Sequence, residues 1–122
     1  MPVTNNIIMN NKAGIFLGNL SNNNVISNNI ITNNNGEGIN LFISFDNLVI
    51  KNNLTKQDNF AIVLWELSHS NIVSQNCIYN NKNGIGLRRW SDKNIIYNKT
   101  IVDNGMEGKN NKYNSGIYFV LF

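Results

Sequence analysis

Residues 37–59 read EGINLFISFDNLVIKNNLTKQDN, and this arrangement returns along most of the chain. Its first part is a Gly-Ile or Ala-Ile pair that is followed two residues later by Leu or Phe. The five pairs are Gly14-Ile15, Gly38-Ile39, Ala61-Ile62, Gly84-Ile85 and Gly116-Ile117. The first four isoleucines are separated by 24, 23 and 23 residues, which indicates one supersecondary unit repeated along the chain.

The second part of the unit is an Asn-x-(Val/Ile)-x-x-Asn-x-(Ile/Leu)-x-x-Asn pattern between the pairs. An AT-rich genome favours Asn and Ile in general, but codon bias does not place them at fixed offsets in successive copies. The phase of these residues therefore indicates a periodic structure. We interpret the copies as Asn5, Ile7, Asn10; Asn23, Val25, Asn28, Ile30, Asn33; Asn47, Val49, Asn52, Leu54, Gln57; Asn71, Val73, Asn76, Ile78, Asn81; and Asn94, Ile96, Lys99, Ile101, Asn104.

The residue types predict strands rather than helices. Ala, Glu and Gln are scarce, and β-branched Ile and Val occupy the alternating positions. A short unit with three such segments predicts a coil of three strands, stacked on the next coil at about 4.8 Å. We therefore expect an all-β, single-stranded parallel β-helix, with Ile15, Leu17, Val25, Ile30 and their counterparts pointing inward.

The asparagine columns are expected at the bends between strands. Asn tolerates the left-handed αL conformation, and its amide can bond to the Asn residues of the coils above and below. Two other repeat folds fit less well. A leucine-rich repeat needs a helical segment in each unit, and a left-handed β-helix needs a hexapeptide spacing, neither of which this sequence has.

The repeat divides the chain into about five coils within a single domain, 1–122. Ile85 and Ile117 are 32 residues apart, so an insertion loop is predicted in the last full coil. The chain begins in mid-repeat without a signal peptide and ends on an apolar strand without a polar capping repeat. We therefore expect either a segment of a longer secreted protein or copies that stack end to end as a homo-oligomer or fibre. The predicted units are a partial coil 1–12, full coils 13–36, 37–59, 60–83 and 84–115, an insertion loop 105–115 and a terminal strand 116–122.

Composition excludes several classes of protein. No apolar run approaches the roughly 18 residues of a membrane span. A net charge of +3 with dispersed Lys and Arg argues against a nucleic-acid partner. Because Cys77 and His69 are single and the three methionines are scattered, we expect no disulfide framework, no metal site and no cofactor.

The tandem Gly-Ile-x-Leu followed by Asn-x-Val-x-x-Asn-x-Ile-x-x-Asn resembles the right-handed parallel β-helix repeats of the NosD-like group. That group lies within the pectate-lyase-like superfamily of carbohydrate-binding proteins and sugar hydrolases. The resemblance covers essentially the whole chain and implies a right-handed solenoid. It implies a range of functions, because lyases, epimerases, adhesins and surface-layer proteins share the fold. NosD proteins are associated with copper-site maturation, but no copper ligand cluster can be carried over to this sequence.

The segment after each inward Leu departs from the repeat and gathers most of the distinctive side chains. Stacking aligns Gly18, Phe42, Trp65 and Arg88 in one column. One interpretation is a polysaccharide-binding strip in which aromatic faces support sugar rings and guanidinium groups bind acidic or hydroxyl groups. The predicted ligand-binding residues are Phe42, Trp65, Arg88, Arg89 and Asp46.

A second interpretation is purely structural. Glu66 would pair with Arg89, and His69 with Asp92, between adjacent coils. Arg88 would lie over Trp65 as a cation–π pair. In this interpretation Trp90 would replace Leu20 and Leu67 in the core.

If the chain is an enzyme, His69 is the candidate base, and Arg88 or Arg89 would clamp a substrate carboxylate, with Glu66 and Asp92 nearby. The alternative function is accordingly a fragment of a lyase or epimerase acting on uronic-acid polymers. We favour a non-catalytic, extracellular or cell-surface module, with a periplasmic location also compatible. It would serve as a scaffold, an assembly unit or a glycan-binding surface. Asn-x-Ser/Thr triplets at Asn19, Asn53 and Asn98 suit a cell-surface protein but arise by chance in so Asn-rich a chain.

Overall fold

The computed structural model describes residues 1–97 and 99–104, together with the backbone of residues 117–120. Every regular element within this part is a β-strand. The predicted insertion loop 105–115 and Asn98 lie outside the described residues. The strands are β1 (Pro2–Thr4), β2 (Ile7–Met9), β3 (Ile15–Gly18), β4 (Val25–Ser27), β5 (Ile30–Thr32), β6 (Ile39–Phe42), β7 (Leu48–Ile50), β8 (Asn53–Thr55), β9 (Phe60–Trp65), β10 (Ile72–Ser74), β11 (Cys77–Tyr79), β12 (Asn83–Arg88), β13 (Ile95–Tyr97), β14 (Thr100–Val102) and β15 (Ile117–Val120).

Successive strands belong to three different parallel sheets. The first sheet has the order β1-β4-β7-β10-β13, the second β2-β5-β8-β11-β14 and the third β3-β6-β9-β12-β15. Each strand therefore pairs with the strand three positions further along the chain, and three strands make one coil of a solenoid. The prediction of an all-β parallel solenoid with three strands per coil is confirmed. A helix that could cross a lipid bilayer is absent from the described residues.

The core runs along the axis and is filled from all three sheets. Each coil contributes two inward side chains from the third sheet, such as Ile39 and Leu41, and one from each of the others, such as Val49 and Leu54. These side chains are fully buried. Complete burial of one such side chain stabilises the fold by about 1.5–3 kcal/mol, so stability grows with each stacked coil.

The predicted phase of the first full copy is wrong by one residue. Strand pairing places Ile26 beside Val49 and Ile31 beside Leu54, so these residues face the core. Ile30, which was predicted to point inward, is 47% exposed. A slip of one residue moves a side chain to the opposite face of a strand.

The same shift of one residue applies to Val25 and to the opening copy. Ile26 replaces Val25 as the inward residue, and Ile8 replaces Ile7. Ile8 packs against the core, whereas Ile7 is exposed. The bend from Gly18 to Asn24 is one residue longer than the bend from Phe42 to Asn47. Doublets such as Ile30-Ile31 hide that difference, because either residue satisfies the sequence pattern.

Three asparagine ladders run along the bends, which confirms the predicted amide bonding between coils. The Asn52 backbone N–H and its side-chain Nδ2 both donate to Asn76 Oδ1, at 2.9 and 3.0 Å. Nδ2 also donates to the Ile26 carbonyl at 3.0 Å. Asn52 Oδ1 also accepts from the Asn29 backbone N–H, so the buried amide satisfies the backbone of the preceding coil and is itself bonded to the side chain of the following one. The ladders are Asn6, Asn29, Asn52, Asn76; Asn24, Asn47, Asn71, Asn94; and Asn34, Gln57, Asn81, Asn104.

The αL conformation belongs to the residue just before each ladder Asn. The αL turn and the amide bonding between coils are therefore performed by two neighbouring residues. Asn28 has φ 56°, and Lys51 has the same φ in the next coil. These neighbouring side chains are exposed. This explains why Lys, Gln, Ser and Asp also occupy those columns while the ladder itself is almost entirely Asn.

Candidate functional site

The candidate site lies on the outside of the third sheet, where its strands end. Gly18, Phe42 and Trp65 stand in register on β3, β6 and β9. A Cβ at Gly18 would lie 2.4 Å from an atom of the Phe16 ring, so that ring covers Gly18. Phe16 thereby joins the column, with its ring centroid 6.4 Å from that of Phe42 and an interplanar angle of 27°.

The column continues into two arginines. The Phe42 and Trp65 ring centroids are 6.0 Å apart, and the rings meet edge to face at 85°. The guanidinium carbons of Arg88 and Arg89 lie 5.1 and 5.7 Å from the Trp65 centroid, within the range of a cation–π contact. We call Phe16, Phe42, Trp65, Arg88 and Arg89 the aromatic–arginine strip. It brings together four of the five predicted ligand-binding residues, and the predicted Arg88–Trp65 contact is confirmed.

Charge is unevenly compensated within the strip. Arg89 Nη1 lies 2.8 Å from Glu66 Oε1, which confirms the predicted pair. Arg88 has no carboxylate partner among the described residues. Its Nε and the Trp65 Nε1 are buried without an acceptor, and Asn40 Oδ1 is buried without a donor on the same sheet. Such unpaired groups are uncommon in folded proteins.

A serine column holds the backbone beneath the strip. Ser44 Oγ donates to the carbonyl of Phe42 at 3.0 Å, and Ser68 Oγ donates to that of Trp65 at 2.8 Å. Ser91 makes the same bond to Arg88 at 2.7 Å. The strand ends that carry the strip are therefore fixed by local hydrogen bonds. This column repeats with the period of the chain but was not recognised from the sequence.

The residue that follows Phe42, Trp65 or Arg88 has a positive φ in each case. Ile43 has φ 48°, and Glu66 and Arg89 have φ 51° and 49°. A β-branched residue is disfavoured in this region because its Cβ crowds the backbone, so Ile43 is strained. The turn that gives the strip its direction thus requires a conformation that Ile43 adopts poorly.

His69 does not pair with Asp92, contrary to the structural interpretation of the sequence. Its ring stacks on Phe45 with centroids 4.8 Å apart and an interplanar angle of 4°. Its Nδ1 lies 3.1 Å from Ser70 Oγ. Asp92 is exposed, and no hydrogen bond or ion pair in the described residues joins it to His69. The neighbour of the His69 ring is therefore Phe45, which was not predicted from the sequence, and not Asp92.

Two further predicted residues lie away from the strip. Asp46 is exposed at an αL turn position directly before the ladder residue Asn47, and no described contact links it to Phe42 or Trp65. Trp90, which was expected to replace Leu20 and Leu67 in the core, is 66% exposed. Leu20, Leu67 and Trp90 all have a positive φ, and all three are exposed, so the turn directs their side chains outward.

A second surface feature is a polar groove at the bend between the second and third sheets. Its volume is about 1240 Å³, and its lining consists of Asn, Gln, Lys and Asp. Its floor is the ladder of Asn34, Gln57, Asn81 and Asn104, whose amides are bonded along the stack. Its described lining residues include neither an aromatic side chain nor one of the predicted site residues.

The chain matches the family model described as "Periplasmic copper-binding protein (NosD)" over residues 1–119. Searches of the curated proteins and of the solved structures gave no significant match. The matched range includes β1 to β14 and all of β15 except Val120, so the family match and the solenoid architecture refer to the same part of the chain.

The described residues do not form a copper site. Copper is bound by imidazole, thiolate and thioether groups, and several must converge on one ion. His69 is stacked on Phe45 at the bend after the third sheet, whereas Cys77 and Met9 lie on β11 and β2 of the second sheet. No group of three or more His, Cys, Asp and Glu residues in the described ranges could hold a metal ion.

Proposed function

Since the chain belongs to the NosD family, we propose that it is a non-catalytic repeat module whose aromatic–arginine strip binds a glycan. The family description supports a periplasmic or extracellular β-helix module. The glycan ligand is supported by the strip itself. Copper binding is not part of the proposal, because the candidate ligands lie apart.

The observation that carries the proposal is the alignment of one exposed and two half-buried aromatic rings with guanidinium groups. Phe16 is 58% exposed although it is large and apolar, and its ring is held in line with Phe42. The C–H face of a sugar ring is apolar and complements the electron-rich face of an aromatic ring. The adjacent guanidinium groups can donate hydrogen bonds to sugar oxygens. An extended saccharide lying along the stack would meet both features.

The scaffold suits such a ligand because it is rigid and periodic. Strand pairing fixes neighbouring positions of the strip at the interstrand distance of about 4.8 Å. Serine hydroxyl groups hold the strand ends in place. The binding surface is therefore largely formed before the ligand arrives, which lowers the entropy lost on binding.

The acidic residues near the strip support binding more than cleavage. Hydrolysis of a glycosidic bond needs two carboxyl groups that face the same bond. Glu66 is paired with Arg89, whereas Asp46 and Asp92 are exposed in separate turns. His69, the candidate base, has one ring face against Phe45. No three His, Cys, Asp or Glu residues of the described ranges group closely enough to hold one ion, which favours binding over cleavage.

A glycan array followed by affinity measurement tests the proposal. The double substitution Phe16→Ala with Phe42→Ala should reduce affinity by about tenfold or more, because each ring loses contact area with the sugar. Tyr97→Ala is the matched control, since Tyr97 is an exposed aromatic residue on the first sheet. The proposal fails if no glycan binds, or if the double variant and the control bind equally well.

A further inference from the structure

The two arginines of the strip differ in how their charge is compensated. Arg89 forms an ion pair with Glu66 at 2.8 Å. Arg88 is half-buried and has neither an ion pair nor a side-chain hydrogen bond in the described ranges. The residue in register with it on β15 is Val120, which carries no charge. One guanidinium group is therefore neutralised within the protein, and the other is free to interact with a ligand.

We infer that Arg88 is an anion-recognition residue and that the ligand is a saccharide bearing one anionic oxygen group next to its ring-stacking portion. This inference rests on the proposed function and adds the chemical class of the ligand. The group is a planar or tetrahedral oxyanion, such as a carboxylate or a sulfate. Both present paired oxygens that a guanidinium fork can bind.

Burial strengthens the preference for an anion at Arg88. A partly desolvated cation without a partner is less stable than a hydrated one, and an opposite charge relieves that loss. The contact with the Trp65 ring, at 5.1 Å, orients the guanidinium group but does not neutralise it. A neutral sugar would leave the charge of Arg88 uncompensated.

Glu66 restricts the number of charges that the ligand can carry. Its carboxylate neutralises Arg89 and places negative charge beside the strip. A second anionic group at this position would have to displace Glu66 or lie against it. Because like charges repel, the site favours a sparsely charged saccharide over a densely charged polymer. Glu66 is thus a specificity-determining residue.

The strip also gives the ligand a direction. Its uncharged end is formed by Phe16 and Phe42 on β3 and β6, and its cationic end lies at the end of β12. A saccharide with an acidic group at one end of a neutral segment matches this order. The charged group would lie at Arg88, and the neutral sugar ring would lie on the phenylalanine rings.

Calorimetric titration with three oligosaccharides of equal length tests the inference: one neutral, one with a single carboxylate and one with a single sulfate. We expect at least one anionic ligand to bind about tenfold more tightly than the neutral one, as a charge-assisted hydrogen bond allows. The carboxylate and sulfate arms identify which oxyanion is preferred. Arg88→Gln should remove the preference, because affinity for the anionic ligand should fall by about tenfold more than affinity for the neutral ligand.

Two variants separate Arg88 from its neighbour. Arg89→Gln should retain the preference, because Arg89 is already neutralised. Glu66→Gln should increase affinity for the anionic ligand roughly threefold or more, because it releases Arg89. Arg88→Lys keeps the charge but loses the fork, so it should retain only part of the preference. Circular dichroism of each variant establishes that the solenoid is intact.

The outcomes distinguish the inference from the proposal on which it rests. If no oligosaccharide binds, the proposed function fails. If neutral and anionic ligands bind equally to the native chain, the glycan-binding surface stands and the inference is overturned. The inference is also overturned if Arg89→Gln removes the preference and Arg88→Gln does not.

Discussion

Two bends of the same coil have opposite characters. At the bend between the first and second sheets, successive coils place Asn29, Asn52 and Asn76 in one column, and each amide is bonded within the stack. At the bend after the third sheet, the column changes from Phe42 to Trp65 to Arg88, and Trp65 Nε1 and Arg88 Nε are buried without partners among the described residues.

The difference shows where the solenoid is constrained by its own structure. A ladder side chain must accept bonds from one neighbouring coil and donate bonds to both, so Asn occupies nearly all of these positions. A strip position needs only to continue the strand, so its side chain is free to meet other requirements. Variation between coils therefore marks the surface on which binding is proposed.

Breaking a ladder should cost the most stability. Asn52→Ala removes the acceptor of the Asn29 backbone N–H and the donor to the Ile26 carbonyl, both in a buried environment. Buried groups left unpaired lower the free energy of unfolding by about 2–4 kcal/mol in total. Urea denaturation measures the change.

The adjacent residue provides the control for that experiment. Asn53 lies on the outer face of β8, and its Oδ1 is buried without a hydrogen-bond partner among the described residues. Asn53→Ala should change stability by less than about 0.5 kcal/mol. Equal losses in the two variants would show that the ladder has no special role.

A second prediction concerns strain at the other bend. Ile43 has φ 48°, a conformation that costs a β-branched residue about 1–2 kcal/mol. Ile43→Asn should therefore raise the free energy of unfolding by about 1 kcal/mol, because Asn tolerates αL. Ile30→Asn, on the exposed face of β5, is the control and should be slightly destabilising. A loss of stability in both variants would contradict the strain.

A third prediction concerns how Gly18 supports Phe16. Gly18→Ala places a Cβ within 2.4 Å of the Phe16 ring, so the ring must move, at a cost of about 0.5–1 kcal/mol. In a Phe16→Ala background the same substitution should cost almost nothing. A double-mutant cycle in thermal unfolding measures this coupling. Additive effects would mean that the ring does not lie over Gly18.

The fold followed from the sequence because its period is a property of many residues at once. The one-residue shift of the first copy could not be predicted from the sequence, since the doublets Asn23-Asn24 and Ile30-Ile31 satisfy the pattern in either register. The strand pairing of the structure distinguishes the two registers, because it shows that the preceding bend contains one extra residue.

The candidate site was predicted in part for a similar reason. Register alone places Arg88 beside Trp65 and Glu66 beside Arg89, and both contacts are found. Register does not give the direction of a side chain in an αL turn, so Trp90 was wrongly assigned to the core. Phe16 was not predicted as part of the site, because its ring reaches the strip only by lying over Gly18. The Phe16-Leu17-Gly18 sequence, with an outward Phe two residues before a Gly, could have indicated this contact. End-to-end stacking of the solenoid stays a prediction.

The smallest expected effect concerns the Glu66–Arg89 pair. Its side chains are 23% and 44% exposed, so solvent screens their attraction and the pair contributes only about 0.2–0.5 kcal/mol to stability. Glu66→Gln should lower the free energy of unfolding by that amount in dilute salt, and the difference should vanish near 1 M salt, where the Debye length is about 3 Å. Denaturation at the two salt concentrations measures it. A loss comparable to that of Asn52→Ala would make the strip bend as dependent on its internal bonds as the ladder bends, and the contrast between them would not hold. A small, salt-sensitive loss would mean that Glu66 is dispensable for folding. Its role would then be to control the charge of the strip by neutralising Arg89.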